Sequence, residues 1–451
     1  MPFKDLREFI AYLEDRKELR RIRKPVDTKY EIAAYIRKTS DIKGPALLFE
    51  NVNGSEIPVL GGAFATRKRG LLALEASEKE YVEKFHHALE HLMPPRKVSS
   101  GPCKEVVLKS EDADLSRFPI PIFSQNDSGP FITAGLVISK DPESARSNTS
   151  IYRLQVHGAR RMGVKAQQLH RQLRKAEAKG EALPVAIAIG TDPVLMLASQ
   201  WDAPYGVDEL ELAGALRGEP VEVMRAETVD LMVPATAEIV IEGYIQPQIR
   251  EIEGPFGEVG GYSTPKFPKP VIEVTAITHR KDPIFQAALT GMPTTENHIL
   301  RQIPMEATYY WELKKRHPGV TAVHFPAAGA ILFLVIIAVK QTYLYEARNA
   351  IASMFATRRN KIIIVVDDDI DIYDMEKVMW AVATRSRPEE DVVVFPRLST
   401  SGMDPSAFRL EGTDSFWNSG LGIDATKPYR QPFPDVVEIP GVDKVNLDEE
   451  I

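Results

Sequence analysis

Residues 148–157, Asn-Thr-Ser-Ile-Tyr-Arg-Leu-Gln-Val-His, form the stretch on which the fold of the central part of the chain depends. A strand over this stretch places Ile151, Arg153 and Gln155 on one face and Ser150, Tyr152 and Leu154 on the other, because side chains alternate along a strand. An arginine on a half-buried face is unfavourable unless it has a partner. We therefore predict that Arg153 is paired, either in a structural salt bridge or in a functional site.

This strand lies in a region, residues 125–315, where apolar strands separated by Gly and Pro turns outnumber helices. Further strands are predicted over 132–139, 183–189, 237–246 and 271–278, and one charged helix over 166–179. The excess of strands predicts a β-barrel or split-barrel core that carries a cofactor.

The two ends of the chain have other patterns. The N-terminal part begins with an amphipathic helix predicted over 6–21 and continues with short β-rich runs. After residue 318, strands and helices alternate in the order β-α-β-α-β. We expect a multidomain protein of mixed α/β (α+β) class, with a small N-terminal α/β unit at 1–115, a central split β-barrel domain at 116–317 and a C-terminal α/β domain with a tail at 318–451.

The composition excludes several classes of protein. A net charge of −7 offers no basic field for a nucleic-acid backbone, and the single cysteine, Cys103, excludes intramolecular disulfides and cysteine-based metal sites. The longest apolar run, residues 327–339, is shorter than the ~20 residues of a membrane span. The N-terminus lacks the apolar core of a signal peptide, so we expect a cytoplasmic protein without a membrane span.

Two carboxylates flank a Gly-Pro-Phe-Gly turn in the segment Glu253–Glu258. The turn folds the chain back, so both carboxylates can reach one pocket. If one of them pairs with Arg153 it stays ionised, while burial raises the pKa of the other towards the range useful for proton donation. The alternative is a glycine-rich turn with two solvated acids.

Oxygen and nitrogen ligand types occur at Asn148, His170 and Glu209, on separate elements. An amide, an imidazole and a carboxylate suit Mn²⁺ or Mg²⁺ better than a soft metal. Spacing alone does not identify such a site, and a solvated helical histidine is the ordinary expectation for His170. The acidic run Asp367–Asp369 with Asp371 follows a buried strand, and we predict that it caps the next helix and binds turn amides.

In combination, these segments resemble the UbiD family of decarboxylases over essentially the whole chain. The resemblance rests on the order and separation of many short segments: Asn148 with Ile151-Tyr152-Arg153, His170-Arg171, Tyr205-Gly-Val-Asp-Glu209, Ala213–Gly218, Val233–Gly243, Glu253–Glu258, Thr295-Glu296-Asn297-His298, Val366–Asp371 and Gly422–Thr426. Each segment alone is weak, but together they are specific.

The resemblance implies that the central domain binds prenylated FMN, with a divalent metal (Mn²⁺, or Mg²⁺) and K⁺ at the flavin phosphate. The implied metal ligands are Asn148, His170 and Glu209. The implied cofactor contacts are these three residues together with Ser150, Ile151, Tyr152, Arg153, Leu154, Arg171 and Ser199, of which Ser199 supplies an oxygen to K⁺.

The resemblance also implies a reversible, non-oxidative decarboxylation of an aromatic, heteroaromatic or α,β-unsaturated acid through a covalent adduct with the cofactor. Glu253, Arg153 and Glu258 match the catalytic Glu-Arg-Glu triad, in which Arg153 holds the substrate carboxylate and Glu258 donates the proton. Two other functions stay open: an FMN-dependent split-barrel oxidoreductase, and a non-catalytic subunit of a multi-component carboxylase. The oxidoreductase is disfavoured because hydride transfer does not need that triad.

Asn297 and His298 lie where the family closes its substrate pocket, and their polarity favours a hydroxylated or heteroaromatic ring. The implied partners are the acid substrate, a flavin prenyltransferase that supplies the cofactor, and further copies of the chain. We expect a homodimer or larger homo-oligomer, formed through the C-terminal domain, because residues 327–339 present more apolar surface than one small domain covers.

Overall fold

The computed structural model describes residues 3–165, 167–202, 207–357, 360–413, 415–441 and 445. The chain has mixed helix and sheet content in several packed units, as the α/β multidomain prediction requires. None of the helices within the described residues has the length and apolar composition needed to cross a membrane.

The N-terminal elements form a small sheet covered by helices. In chain order they are α1 (Leu6–Asp15), β1 (Leu19–Ile22), α2 (Glu31–Asp41), β2 (Ala46–Phe49), β3 (Val59–Gly61), α3 (Arg67–Ala73), α4 (Tyr81–Glu90) and β4 (Arg96–Lys97). The prediction of one helix over 6–21 is wrong beyond Asp15, because Lys17 has a positive φ of 59° and the chain then enters β1, which pairs parallel with β2.

The central elements comprise a nine-stranded sheet, five short strands outside that sheet, and helices. They are β5 (Val106–Lys109), β6 (Phe131–Ile132), β7 (Leu136–Lys140), β8 (Ser147–Ile151), β9 (Arg153–Gly158), β10 (Arg161–Lys165), α5 (Gln167–Ala178), β11 (Leu183–Ile189), α6 (Pro193–Ala198), α7 (Glu209–Arg217), β12 (Glu222–Arg225), β13 (Met232–Pro234), β14 (Ile239–Glu253), β15 (Phe256–Gly257), β16 (Ser263–Thr264), β17 (Phe267–His279) and β18 (Phe285–Gln286). The strand order is β6-β9-β10-β17-β14-β11-β7-β8, and β5 pairs with β17.

The predicted single strand over 148–157 is two strands. The chain leaves β8 at Ile151, passes Tyr152 and enters β9 at Arg153, and these strands pair in different parts of the sheet: β8 with β7 at one end, β9 with β6 and β10 near the other. The strict alternation of faces is therefore wrong across Tyr152, and Leu154 and Gln155 are both buried. Since one residue joins the two ends, the sheet curls until they lie side by side, which is the curvature that the predicted split barrel requires.

The C-terminal elements build a second sheet. They are α8 (Glu296–Lys314), β19 (Val320–His324), β20 (Leu334–Val339), α9 (Glu346–Thr357), β21 (Ile362–Asp367), α10 (Met375–Arg385), α11 (Pro388–Asp391), β22 (Val392–Thr400), β23 (Phe408–Arg409) and β24 (Phe416–Ala425). The strand order is β19-β20-β21-β24-β22, with β20, β21 and β24 parallel. The alternation of strands and helices predicted after residue 318 is present.

The apolar run 327–339 is covered within its own chain. Val335, Ile337 and Val339 of β20 belong to one buried cluster, and Ile336 and Ala338 belong to another on the opposite face of the sheet. The prediction that this run needs a partner chain to cover it is therefore wrong, because helices and loops of the same chain pack on both faces.

The acidic run after β21 pairs with basic side chains and does not cap the next helix. Asp367 and Asp369 both accept hydrogen bonds from Arg385, and Asp369 also accepts one from Lys427. Asp374, not the run, caps α10. The predicted turn-amide contact is made by Asp371, which accepts a hydrogen bond from the amide of Tyr373.

Candidate active site

Arg153, the first residue of β9, lies between the two carboxylates of the predicted triad. Its Nε and Nη2 donate to the two oxygens of Glu253, both at 2.7 Å, and its Nη1 donates to Glu258 Oε1 and, at 3.1 Å, to Thr264 Oγ1. The ring of Phe256 lies 5.0 Å from the guanidinium. Glu253 is fully buried and the side chain of Arg153 is only 9% exposed, so the pair is largely withdrawn from water.

The turn between the two carboxylates is held by polar contacts to its backbone. β14 ends at Glu253, and the chain turns through Gly254, whose φ of +90° suits glycine, before β15 pairs with β16. Gln155 Oε1 accepts a hydrogen bond from the Gly254 amide at 2.8 Å, and Asp127 Oδ1 accepts one from the Gly257 amide at 3.2 Å. These contacts fix the chain direction so that both carboxylates face Arg153.

Lys165 is a fourth member of this cluster, and the sequence reasoning missed it. It lies at the end of β10, directly opposite Arg153 in the antiparallel pairing, and its Nζ donates to Glu258 Oε1 at 2.7 Å. Residues directly opposite each other in such a pair lie on the same face of the sheet. Two cations therefore contact the same carboxylate oxygen.

This arrangement changes the expected protonation of Glu258. Burial raises the pKa of its carboxyl group, but the charges of Lys165 and Arg153, with a further contribution from Arg301, outweigh burial and bring the pKa below its usual value. The prediction that burial raises the pKa of one carboxylate is wrong for Glu258, because this residue also pairs with Arg153.

A cavity opens beside the cluster. It is lined by Thr133, Ser150, Ile151, Tyr152, Arg153, Lys165, Ser199, Gln200, Trp201, Asp202, Phe256, Glu258, Ala288, Thr290, Asn297, Leu300, Arg301 and Met403. The two ends of the curled sheet and helix α8 form its walls, and Met403 reaches it from the C-terminal domain. The predicted residues that share this cavity are Ser150, Ile151, Tyr152, Arg153, Ser199, Glu258 and Asn297.

Asn148 and Glu209 lie together on the other side of Tyr152. Glu209 begins α7, and its carboxylate accepts a hydrogen bond from the Thr149 amide, next to Asn148, at 2.7 Å. Burial raises the pKa of Glu209 to about 8. A buried carboxylate that accepts a backbone hydrogen bond fits a site that a cation completes, and the side-chain oxygen of Asn148 is a ligand of the right chemistry for it.

His170 and Arg171 lie on α5. Burial lowers the pKa of His170, and Lys269, Arg250 and Arg174 lower it further, while Glu177 raises it. Arg171 is exposed. The contact of Glu209 with the Thr149 amide brings it close to Asn148, and among the described residues no hydrogen bond joins His170 to either. The described residues contain no cluster of three His, Cys, Asp or Glu side chains that could hold a metal. Tyr205 and Gly206 of the family motif lie outside the described residues.

Two other predicted residues lie away from the cavity wall. Leu154 is fully buried in the core of the central sheet. His298 is also fully buried: its Nδ1 bonds to Thr295 at the start of α8, and its Nε2 bonds to the Val259 carbonyl at 2.9 Å. Burial lowers the pKa of His298 to about 4, so the ring is neutral at physiological pH. Asn297, one residue earlier on α8, does line the cavity.

Comparison with known proteins places three family domains along the chain. The models of the N-terminal, Rift-related and C-terminal domains of 3-octaprenyl-4-hydroxybenzoate carboxy-lyase match residues 10–89, 96–293 and 298–425, respectively.

Solved structures match over nearly the full length. The UbiD-class enzyme HmfF from Pelotomaculum thermopropionicum in complex with FMN is 39% identical, with 99% of this chain and 100% of that chain covered and a TM-score of 0.93. An evolved dimeric form of HmfF in complex with prenylated FMN is 38% identical, with both chains fully covered and a TM-score of 0.90. The closed form of vanillic acid decarboxylase from Sedimentibacter hydroxybenzoicus is 30% identical, with 100% and 98% covered and a TM-score of 0.86.

Proposed function

This chain belongs to the UbiD family of carboxy-lyases, and we propose that it catalyses the reversible, non-oxidative decarboxylation of an aromatic, heteroaromatic or α,β-unsaturated carboxylic acid. The observation that carries the proposal is the position of Arg153 between Glu253 and Glu258 at the wall of the cavity. Vanillic acid decarboxylase, at 30% identity over the whole chain, acts on an aromatic acid, which supports this substrate class.

Arg153 would bind the substrate carboxylate. Its bidentate pairing with Glu253 fixes the plane of the guanidinium, while the Nη1 edge faces the cavity through its contact with Glu258. A planar guanidinium binds carboxylates with defined geometry, so this edge can orient the bond that breaks. Glu253 keeps the buried arginine in place and compensates its charge.

Glu258 would deliver the proton that replaces CO₂. The carbon–carbon bond to the carboxyl group breaks, neutral CO₂ leaves, and the electron pair of that bond forms a new C–H bond with the proton of Glu258. Ile151, Trp201 and Leu300 form the apolar part of the cavity wall, and a substrate ring packed against them would displace water that stabilises its carboxylate. Loss of the substrate carboxyl group as neutral CO₂ is then favoured.

The cofactor would be prenylated FMN, held by Ser150, Ile151, Tyr152, Arg153 and Ser199, which line the cavity. The family resemblance adds Leu154, His170 and Arg171, which are not among the residues that line it. When bound, it would supply the electrophilic ring that amino-acid side chains lack. Asn148, His170 and Glu209 would hold Mn²⁺ or Mg²⁺ at its phosphate, and Ser199 would contribute an oxygen to K⁺. The buried carboxylate of Glu209 supports the cation. HmfF, at 38% identity, was solved with prenylated FMN.

The substrate ring would be hydroxylated or heteroaromatic. The cavity wall carries polar groups at Thr290, Asn297 and Arg301 as well as apolar ones, and polar groups in a closed pocket favour a ligand that can bond to them. The cofactor would come from a flavin prenyltransferase in the same cytoplasm. By resemblance to the family, the chain would act as a homodimer or larger homo-oligomer through its C-terminal domain, and HmfF was solved in an evolved dimeric form.

The experiment that tests this function is expression with and without a flavin prenyltransferase, followed by a screen of aromatic acids for CO₂ release and for H/D exchange at the product carbon. We expect turnover of at least one acid only when the prenyltransferase is present. Equal activity from protein loaded with plain FMN, or NAD(P)H oxidation without CO₂ release, would contradict the proposal and favour the oxidoreductase.

A further inference from the structure

Lys165 and Arg153 share one carboxylate oxygen. Glu258 Oε1 accepts hydrogen bonds from Lys165 Nζ, at 2.7 Å, and from Arg153 Nη1. The two cations come from adjacent strands in direct register, so the sheet itself fixes their separation. Lys165 also lines the cavity. Lys165 therefore contacts Glu258, the residue proposed above as the proton donor.

The charges of the four paired residues sum to zero when no acid is bound in the cavity. Arg153 and Lys165 carry two positive charges, and Glu253 and Glu258 carry two negative ones. Arg301 of α8 adds positive potential at Glu258, and Asp202 lines the same cavity. A substrate carboxylate adds one negative charge to a region where Glu258 is 16% and Arg153 9% exposed. An uncompensated charge is costly there.

Arg153 cannot bind the substrate and keep all its present contacts. Its Nε and Nη2 contact Glu253, and its Nη1 contacts Glu258 and Thr264. A carboxylate that approaches from the cavity competes with Glu258 for Nη1. When Arg153 turns to the substrate, the described contact that keeps the Glu258 carboxyl in place is the one from Lys165.

We propose that Lys165 is a positioning residue for decarboxylation: it retains the Glu258 carboxyl group when the substrate draws Arg153 away, and its charge sets the pH range in which Glu258 can donate a proton. The proposal rests on the function proposed above. The entering carboxylate repels the negative charge of Glu258, which then takes up one proton. After CO₂ leaves, that proton forms the C–H bond, and Glu258 returns to its ionised state paired with Lys165.

The test is the pH profile of kcat for wild type, Lys165→Met and Lys165→Arg, with the acid identified in the screen. Glu258 donates only when protonated, so kcat is high below its pKa in the complex and falls as the pH rises through it. Loss of a positive charge at hydrogen-bond distance raises the pKa of a carboxyl group by about one unit or more. We expect the alkaline limb of Lys165→Met to move to higher pH by about that amount, and that of Lys165→Arg to stay near wild type.

The matched control is Lys104→Met, which removes another half-buried lysine that donates to a glutamate, Glu227, at 2.7 Å, away from the cavity. It should keep the wild-type profile. A Lys165→Met limb that coincides with wild type would overturn the proposal, as would failure of Lys165→Arg to restore a rate lost in Lys165→Met. If the wild type releases CO₂ from no acid, the proposed function itself fails, which is a different outcome.

Discussion

The two acidic groups that flank Tyr152 differ in how completely the protein satisfies them. On one side, Glu253 and Glu258 are paired with Arg153 and Lys165, and the net charge of these four residues is zero. On the other side, the buried Glu209 accepts a hydrogen bond from a backbone amide, and its pKa is raised to about 8. The first, satisfied group has all its charges paired within the protein. The second, unsatisfied group has the properties of a site that needs a cation.

This difference determines what can be learned from each group. In the satisfied group, the hydrogen bonds themselves indicate which side chains act together, and the role of each can be tested by removing one contact. In the unsatisfied group, the evidence for a ligand is the unfavourable free energy of burying a carboxylate without a cation. A protein retains such an arrangement when a ligand compensates the buried charge. Variants confined to one group test the two groups separately.

The largest effect is expected for Glu258→Gln. Glutamine preserves the shape and can still contact Arg153, but it has no carboxylic proton to give. General acid catalysis is worth roughly 10²–10⁴ in rate, so kcat should fall by about that factor. The variant should retain its fold, metal and flavin, as measured by circular dichroism, metal analysis and absorbance. Turnover within a few-fold of wild type would move the donor role to another residue.

Glu209→Gln and Asn148→Ala should weaken metal binding by at least about 100-fold, because even the residues that support metal ligands are worth about 10–100-fold. Titration of the metal-free protein with Mn²⁺ measures the effect. Glu242→Gln is the matched control: Glu242 is also buried, but it accepts hydrogen bonds from the backbone amides of Glu227 and Thr228 and from the Thr228 hydroxyl. Unchanged Mn²⁺ affinity in Glu209→Gln would show that the buried carboxylate has another partner.

The sequence predicted the satisfied group only in part, and the register of one hairpin explains why. That Arg153 needs an acidic partner follows from its place on a half-buried strand, and the turn between Glu253 and Glu258 is visible in its glycines and proline. The position of Lys165 is not visible, because it depends on a register shift between Arg161 and Met162. Without that shift, Lys165 would lie opposite Leu154 and point to the other face of the sheet.

The break at Tyr152 was hidden for a similar reason. A one-residue passage between two strands leaves the local pattern of residues 148–157 looking like one strand, and only the pairing of β8 with β7 and of β9 with β6 separates them. Likewise, Asn148 and Glu209 come together through tertiary packing of β8 against α7, which no spacing in the sequence encodes. The alternation after residue 318 was predictable because α9 and α10 are long helices and β20 and β21 are continuous apolar strands.

A smaller effect is expected for Gln155→Leu, which tests the support of the satisfied group. The change removes the acceptor of the buried Gly254 amide and the donor to Ser128. An unsatisfied buried amide costs about 1–3 kcal/mol, so the free energy of unfolding should fall by about that amount, and kcat should fall as the turn loosens. Gln246→Leu, which removes a half-buried amide donating to Glu273, is the control and should cost less. Equal losses in both variants would show that Gln155 has no special role in holding the turn.

The smallest effect is expected for Thr264→Val, which removes the neutral side chain that accepts a hydrogen bond from Arg153 among the described residues. The hydroxyl of Thr264 accepts from Arg153 Nη1 at 3.1 Å and donates to the Phe256 carbonyl at 3.3 Å, and valine keeps its shape. A neutral hydrogen bond contributes about 0.5–1.5 kcal/mol, which corresponds to a loss of about two- to tenfold in kcat/KM. The effect should stay small because Glu253 holds the same guanidinium through two charged contacts, and Thr264→Ser should recover most of it. A loss beyond a hundredfold would mean that the carboxylates do not position Arg153 by themselves, and that the group is less complete than its charges indicate.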